Sequence, residues 1–416
     1  MELLDRIKNN ALVKNSTILF IGMMIFNVLN YLYHLIMSRF LTVQEFGELE
    51  SVFALIYIIS VPASALMILA MRYVSIYKAE NNPDKAAAFF RKFHKNLLLV
   101  SPLIILFFIV LSPWISRFLN LASGSSIIIL GFMVVFYLLA CLIQGVLQGW
   151  QRFTGVSISL IIQGLAKFGF AILLVWLSLG VNGAIGGVFL GNIFFYLVLL
   201  YLLKFLLKHK EPVELAKRQI VNFFWPVFIS SLAITFLYSL DMLLVKHFFS
   251  QEIAGNYGAL TILSKVIFFA TAPLIAVMFP MVAESHSLKG NYQRIMGQSL
   301  LLVCLVGLTP LVIYFLAPGL AISLLVGSKF MAIAPYLGWL SLATFMASLI
   351  NFLANFFLSV HKTGFVYFIM AGVLILVILV YLFHQNLWQV VWIMNGVMAG
   401  ILASLLGYFL KIKKSI

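Results

Sequence analysis

A chain of 416 residues that is 63% hydrophobic and only 9% charged, with 15% aromatic residues, lies far from the composition of a soluble globular domain. Its mean hydropathy of +1.11 belongs to a protein solvated by lipid. The net charge of +15 invites a nucleic-acid partner, but the basic residues bracket apolar stretches and form no basic face, so no nucleic acid is expected.

A membrane-spanning helix needs about 20 mainly apolar residues, because lipid offers no partner to an unpaired peptide group. Twelve stretches meet that length. In chain order they run roughly 15–38, 46–71, 97–119, 126–149, 156–178 and 183–207, then 222–245, 253–282, 296–317, 333–359, 364–384 and 387–410. The remaining segments are too short for a soluble domain; the longest polar connections cover about 73–95 and 208–221. The opening segment MELLDRIKNNALVK is polar and precedes a full-length span without a small-residue cleavage site, so no cleaved signal peptide is expected. Cys141 and Cys304 stand alone inside spans, which supports neither a metal site nor a disulfide framework.

The second six spans repeat the first. SRFLTVQEFGELESV from Ser38 answers VKHFFSQEIAGNYGA from Val245, with Arg39 opposite Lys246, Gln44-Glu45 opposite Gln251-Glu252, and Tyr31 opposite Tyr238. KNLLLVS at Lys95 returns as QSLLLVC at Gln298, and Thr154-Gly155 returns as Thr363-Gly364. Internal repeats decide architecture before local patterns do, and in membrane proteins they commonly build transporters. The division falls at 210/211, giving lobes 1–210 and 211–416 of six spans each around a central cavity.

Of the 27 Lys and Arg, 21 fall at the termini and in the even-numbered connections. Only Arg39, Arg117, Lys246 and Lys329 fall in the odd-numbered ones. This asymmetry places both termini in the cytoplasm. An even number of spans per half then makes the repeat parallel, related by an axis along the membrane normal.

Two cations remain at membrane depth. Lys167 and Lys265 sit near the middle of the fifth and eighth spans. About eleven residues from either end is roughly 16 Å, too deep for easy snorkelling. Each would cost at least about 2.5–3.5 kcal/mol against lipid, so each should face the protein interior or water. On the first span Asn27, Tyr31, His34 and Ser38 form a polar stripe; Ser231, Thr235, Tyr238 and Asp241 trace another on the seventh. Asp241 reads as the only acid well inside a span, a candidate proton or cation site or a partner for a buried lysine. Val61-Pro62 and Ala272-Pro273 interrupt the second and eighth spans at comparable places.

RFLTVQEFGELES, QGWQRFTGVSISL from Gln148 and LGVNGAIGGVFLGNI from Leu179 resemble, in order and spacing, segments of polysaccharide biosynthesis flippases. These belong to the multidrug/oligosaccharidyl-lipid/polysaccharide exporter superfamily, and the resemblance extends over the whole chain. It implies an all-α fold of two six-helix lobes around a cavity that opens alternately to each side. It also implies transport, without catalysis, of a polyprenyl-pyrophosphate-linked glycan to the outer leaflet of a bacterial or archaeal cytoplasmic membrane. Cationic cavities are usual in the family, which would place Lys167 and Lys265, with Arg39 and Lys246, on the substrate path. Asp241, His34, Tyr31, Tyr238 and Asn27 are the candidates for coupling. Implied partners are the lipid-linked glycan, membrane lipids and a polysaccharide polymerase complex; no cofactor is implied, with proton or sodium coupling open. The alternative is a cation-coupled multidrug antiporter of the same fold, which usually depends on acids in the first lobe; the first span here carries none. A polymerase or glycosyltransferase would need a large outer loop or a carboxylate constellation, and the outer connections are short and acid-poor.

Overall fold

The computed structural model describes residues 11–209, 217–287, 292–360 and 362–413. Among them every regular element is helical. In chain order these are α1 (Ala11–Phe40), α2 (Val43–Ile59), α3 (Val61–Ala79), α4 (Pro83–Phe118), α5 (Ser125–Gly149), α6 (Phe153–Leu174), α7 (Gly180–Leu202) and α8 (Lys204–Leu207). The second half holds α9 (Lys217–Phe248), α10 (Gln251–Ser287), α11 (Tyr292–Leu316), α12 (Pro318–Leu325), α13 (Ala334–Ser359), α14 (Phe365–Leu382) and α15 (Leu387–Lys413). Eleven helical stretches among the described residues are long and apolar enough to cross a membrane. One of them, Phe153–Leu202, carries two spans, α6 and α7. The chain reverses there because Ser178 (φ 62°) and Gly180 (φ 49°) adopt left-handed backbone that ends the helix. The protein is a multi-pass, all-α membrane protein of twelve spans.

Two sequence expectations change. The polar stretch 73–95 is mostly helix, not loop: α3 runs to Ala79, and α4 starts at Pro83. Asn82 caps α4 by accepting a hydrogen bond from Lys85 N at 2.9 Å, with Pro83 in the first turn where its missing N–H costs nothing. The second span does break, between Ile59 and Val61, but the eighth continues as one helix, α10, through Pro273.

The chain forms two compact units. Unit 1 is Met1–Phe40 with Leu55–Ser231, and unit 2 is Leu41–Ala54 with Leu232–Ile416. The expected boundary at 210/211 lies outside the described residues. Inside unit 1, α3 packs on α4 and α5, α4 on α5, α5 on α7, α6 on α7, and α1 on α6. Inside unit 2, α10 packs on α11 and α13, α11 on α13, α13 on α15, and α14 on α15. Five of these relations recur between equivalent spans of the two units, while the pairing of α1 with α6 is described only for unit 1, so most of the repeat seen in sequence is a repeat of packing.

The short segment Leu41–Ala54 comes from the first half of the sequence yet packs in unit 2. A Thr42–Glu45 capping box starts its helix: Glu45 Oε2 accepts from Thr42 N and Oγ1, both at 2.9 Å, and Thr42 Oγ1 accepts from Glu45 N at 3.2 Å. Gly47 then crosses Gly255 so closely that a Cβ on Gly47 would lie 2.6 Å from the Gly255 Cα, a contact only two glycines permit. Phe46 meets Phe330 with ring centroids 5.5 Å apart, and Lys329 Nζ donates to the Leu41 carbonyl.

Candidate functional site

In unit 1 the site is built around Lys167 on α6, which is 6% exposed. Its ammonium donates to Asn30 Oδ1 at 2.7 Å and lies 4.0 Å from the centre of the Tyr33 ring. Tyr33 is itself fixed, its hydroxyl donating to the Ala184 carbonyl at 3.0 Å and its ring edge-on to His34. One turn before Lys167, Gln163 Nε2 donates to Asn192 Oδ1 at 2.7 Å. A charge-assisted hydrogen bond contributes about 1.5–3 kcal/mol and a desolvated cation–π contact about 2 kcal/mol. Together these offset much of the cost of burying the ammonium. Both of these partners are neutral groups that orient the ammonium.

The lysine sits this deep because α6 and α7 touch through glycine. A Cβ on Gly191 would lie 2.8 Å from the Lys167 Cβ, and one on Gly187 would lie 2.4 Å from the Ala171 nitrogen. Gly191→Val is therefore expected to push the helices apart, costing about 1–3 kcal/mol. Thermal unfolding of detergent-solubilised protein would show it as a lowered midpoint, whereas Gly396→Val, with nothing within 4 Å of its Cβ position, should leave the midpoint unchanged.

In unit 2 the site centres on Asp241 of α9, 4% exposed, and Lys265 of α10, 6% exposed. Asp241 Oδ2 accepts from the Tyr257 hydroxyl at 3.0 Å, while Oδ1 has no hydrogen-bond partner among the described residues. Both charges line one cavity of about 20 Å³ together with Tyr238, Thr261, Ser264 and Thr344. A space of that size holds about one water or a bare cation. It does not admit a diphosphate in this conformation, and Lys265 faces the protein interior as expected of a charge at membrane depth.

The remaining candidates distribute as follows. His34 (4%) and Ser38 (0%) of the α1 stripe are buried, Tyr31 is half-buried and Asn27 is exposed. The residues of α1 that meet Lys167 are Asn30 and Tyr33, on a neighbouring face that the stripe did not include. Tyr238 is half-buried against Phe268, with ring centroids 5.0 Å apart. Arg39 is exposed in the last turn of α1. Lys246 corrects its assignment to an outer connection: it lies inside α9 and is 0% exposed. Its charge interacts with Glu48, which at 7% exposure is buried alongside Glu50 at 3%. Asp241 is thus not the only buried acid. The doublet of acids in FGELES was the available signal, obscured by its position at a span end.

A family model described as polysaccharide biosynthesis protein matches residues 12–286. The chain belongs to that family. A search of curated proteins finds no match. Among solved structures, the fold is similar to an inward-facing multidrug resistance MATE family transporter of the MOP superfamily, with TM-score 0.79 at 13% identity, covering 96% of this chain and 98% of that one. It is also similar to the lipid II flippase MurJ in an inward closed conformation, with TM-score 0.72 at 14% identity over 94% of this chain and 87% of that one. A third is a MOP superfamily transporter from Pyrococcus furiosus described as having a binding pocket of reverse polarity, with TM-score 0.62 at 14% identity over 97% of this chain and 94% of that one. At these identities the family member shares the MOP superfamily fold with all three.

Proposed function

We propose that this protein is a flippase that moves a polyprenyl-diphosphate-linked oligosaccharide from the cytoplasmic to the outer leaflet by alternating access, for cell-surface polysaccharide assembly. The observation that carries this reading is Lys167, an ammonium buried at mid-span and held by an amide oxygen and a ring face. A lipid-linked sugar has an anionic diphosphate and a polar glycan that cannot cross hydrocarbon unaided, and a fixed cation at membrane depth lowers that barrier. Membership of the polysaccharide biosynthesis family and likeness to a lipid II flippase agree with a lipid-linked glycan as cargo.

Proteoliposomes containing an undecaprenyl-diphosphate oligosaccharide test it. The expected result is that the glycan becomes accessible to an impermeant glycosidase from the opposite face only when the protein is present. Equal accessibility in protein-free vesicles, or none with protein, would sink the reading. The second reading, a cation-coupled antiporter, is favoured by the Asp241 carboxylate oxygen that has no hydrogen-bond partner among the described residues; it requires proton- or sodium-driven efflux of a small cationic dye from the same vesicles.

The charge asymmetry supports a cytoplasmic-membrane protein with both termini inside. Cysteines introduced at 43–45 or 249–251 should react with an impermeant maleimide added to intact cells, and those at 80–82 only after permeabilisation. The reverse pattern would overturn this orientation.

A further inference from the structure

The motif QGWQRFTG plays no part in the Lys167 site, yet it shapes a cleft in unit 1. Gln151 (φ 64°) turns the chain between α5 and α6, and the turn presents Arg152 at the surface. The cleft, of about 350 Å³, falls in the range of small-molecule sites, roughly 300–1,000 Å³. One wall is apolar, from Leu147, Phe153 and Leu202; the other is polar, from Gln151, Arg152 and Thr154. The Arg152 guanidinium is held 4.0 Å from the centre of the Phe205 ring. A second cation adjoins, since Lys78 Nζ donates to Gln151 Oε1 at 2.7 Å. Neither cation is joined to a carboxylate among the described residues.

Two unneutralised cations beside a short apolar wall complement two linked phosphates carrying an apolar chain. We propose that this cleft docks the diphosphate and first isoprene of a polyprenyl-diphosphate-linked substrate at the basic end of unit 1, before translocation. The inference rests on the flippase reading and adds to it a loading site at the N-terminal end of α6, about four turns from Lys167. Arg152 supplies paired N–H donors to one phosphate and Lys78 a point charge to the other, while Leu147, Phe153 and Leu202 cover the isoprene.

The test uses the full chain in nanodiscs of neutral phospholipid and measures binding of undecaprenyl diphosphate. Arg152→Gln is expected to weaken binding about tenfold, and Arg152→Gln with Lys78→Gln about a hundredfold, while Arg152→Lys loses less. Both positions are solvent-facing, and an unchanged thermal midpoint would confirm that the variants are folded. Excess phosphatidylglycerol should leave the affinity unchanged. If the wild type binds and the double variant binds equally well, the cleft is not the site and the flippase reading survives. If phosphatidylglycerol displaces the ligand at equal concentration, the cleft is a phospholipid site and the proposal falls. If the wild type binds no undecaprenyl diphosphate, the flippase reading falls with it.

Discussion

Lys167→Met is expected to abolish most glycan translocation in proteoliposomes while leaving the thermal midpoint unchanged or slightly raised. The two effects separate because the ammonium's costs and uses lie in different states. In the resting protein Asn30 and Tyr33 offset the cost of its burial, and replacing a buried charge with an apolar side chain of similar length is often neutral or stabilising. During transport the same ammonium would face a diphosphate in a water-poor site, where a charge-assisted bond contributes about 1.5–3 kcal/mol, or roughly tenfold to a hundredfold in rate. Lys167→Arg should retain more transport than the methionine variant, because charge matters more than shape in a first contact with phosphate. A purely structural lysine would give the opposite signature: a lowered midpoint in Lys167→Met and transport that falls only in proportion to folded protein. Glycosidase accessibility and thermal unfolding on the same preparation distinguish the two.

Asp241→Asn is expected to remove the dependence of transport on an imposed proton or sodium gradient while leaving substrate affinity nearly unchanged. The side chain keeps its shape, and its amide oxygen can still accept from Tyr257, so the local structure should survive. What is lost is the negative charge on an oxygen that has no hydrogen-bond partner among the described residues, in a cavity sized for one water or ion. A cation biases two conformations only through its different affinity for them; a tenfold difference supplies about 1.4 kcal/mol, so the gradient-driven rate should fall about tenfold toward the ungraded rate. Lys265 lines the same cavity, and Lys265→Met should strengthen cation binding at Asp241 by removing a like charge beside the bound ion. His34→Ala should change gradient dependence less, because His34 packs on Tyr33 in unit 1. Asp241→Asn that transports normally with the gradient response intact would make the carboxylate structural.

Composition settled the solvent of this protein, and apolar runs of about 20 residues satisfy their backbone in lipid as helices. The repeat settled its order, because equivalent spans must bury equivalent faces, and the matching neighbour relations of the two units follow from that. Lys167, Lys265 and Asp241 were legible for the same reason: a charge inside a span has no inexpensive place except the protein interior. Tertiary packing decided the rest. Periodicity identified a polar stripe through Asn27 and His34 but could not say how α1 is rotated, and it is Asn30 and Tyr33 that reach Lys167. Hydropathy blurs at span ends, where a charged residue reads alike in a water-exposed loop or against another helix, so Lys246, Glu48 and Glu50 became buried only through the packing of Leu41–Ala54 in unit 2. That packing depends on two glycines, Gly47 and Gly255, meeting at backbone contact, and such a meeting of distant residues has no local periodic signature.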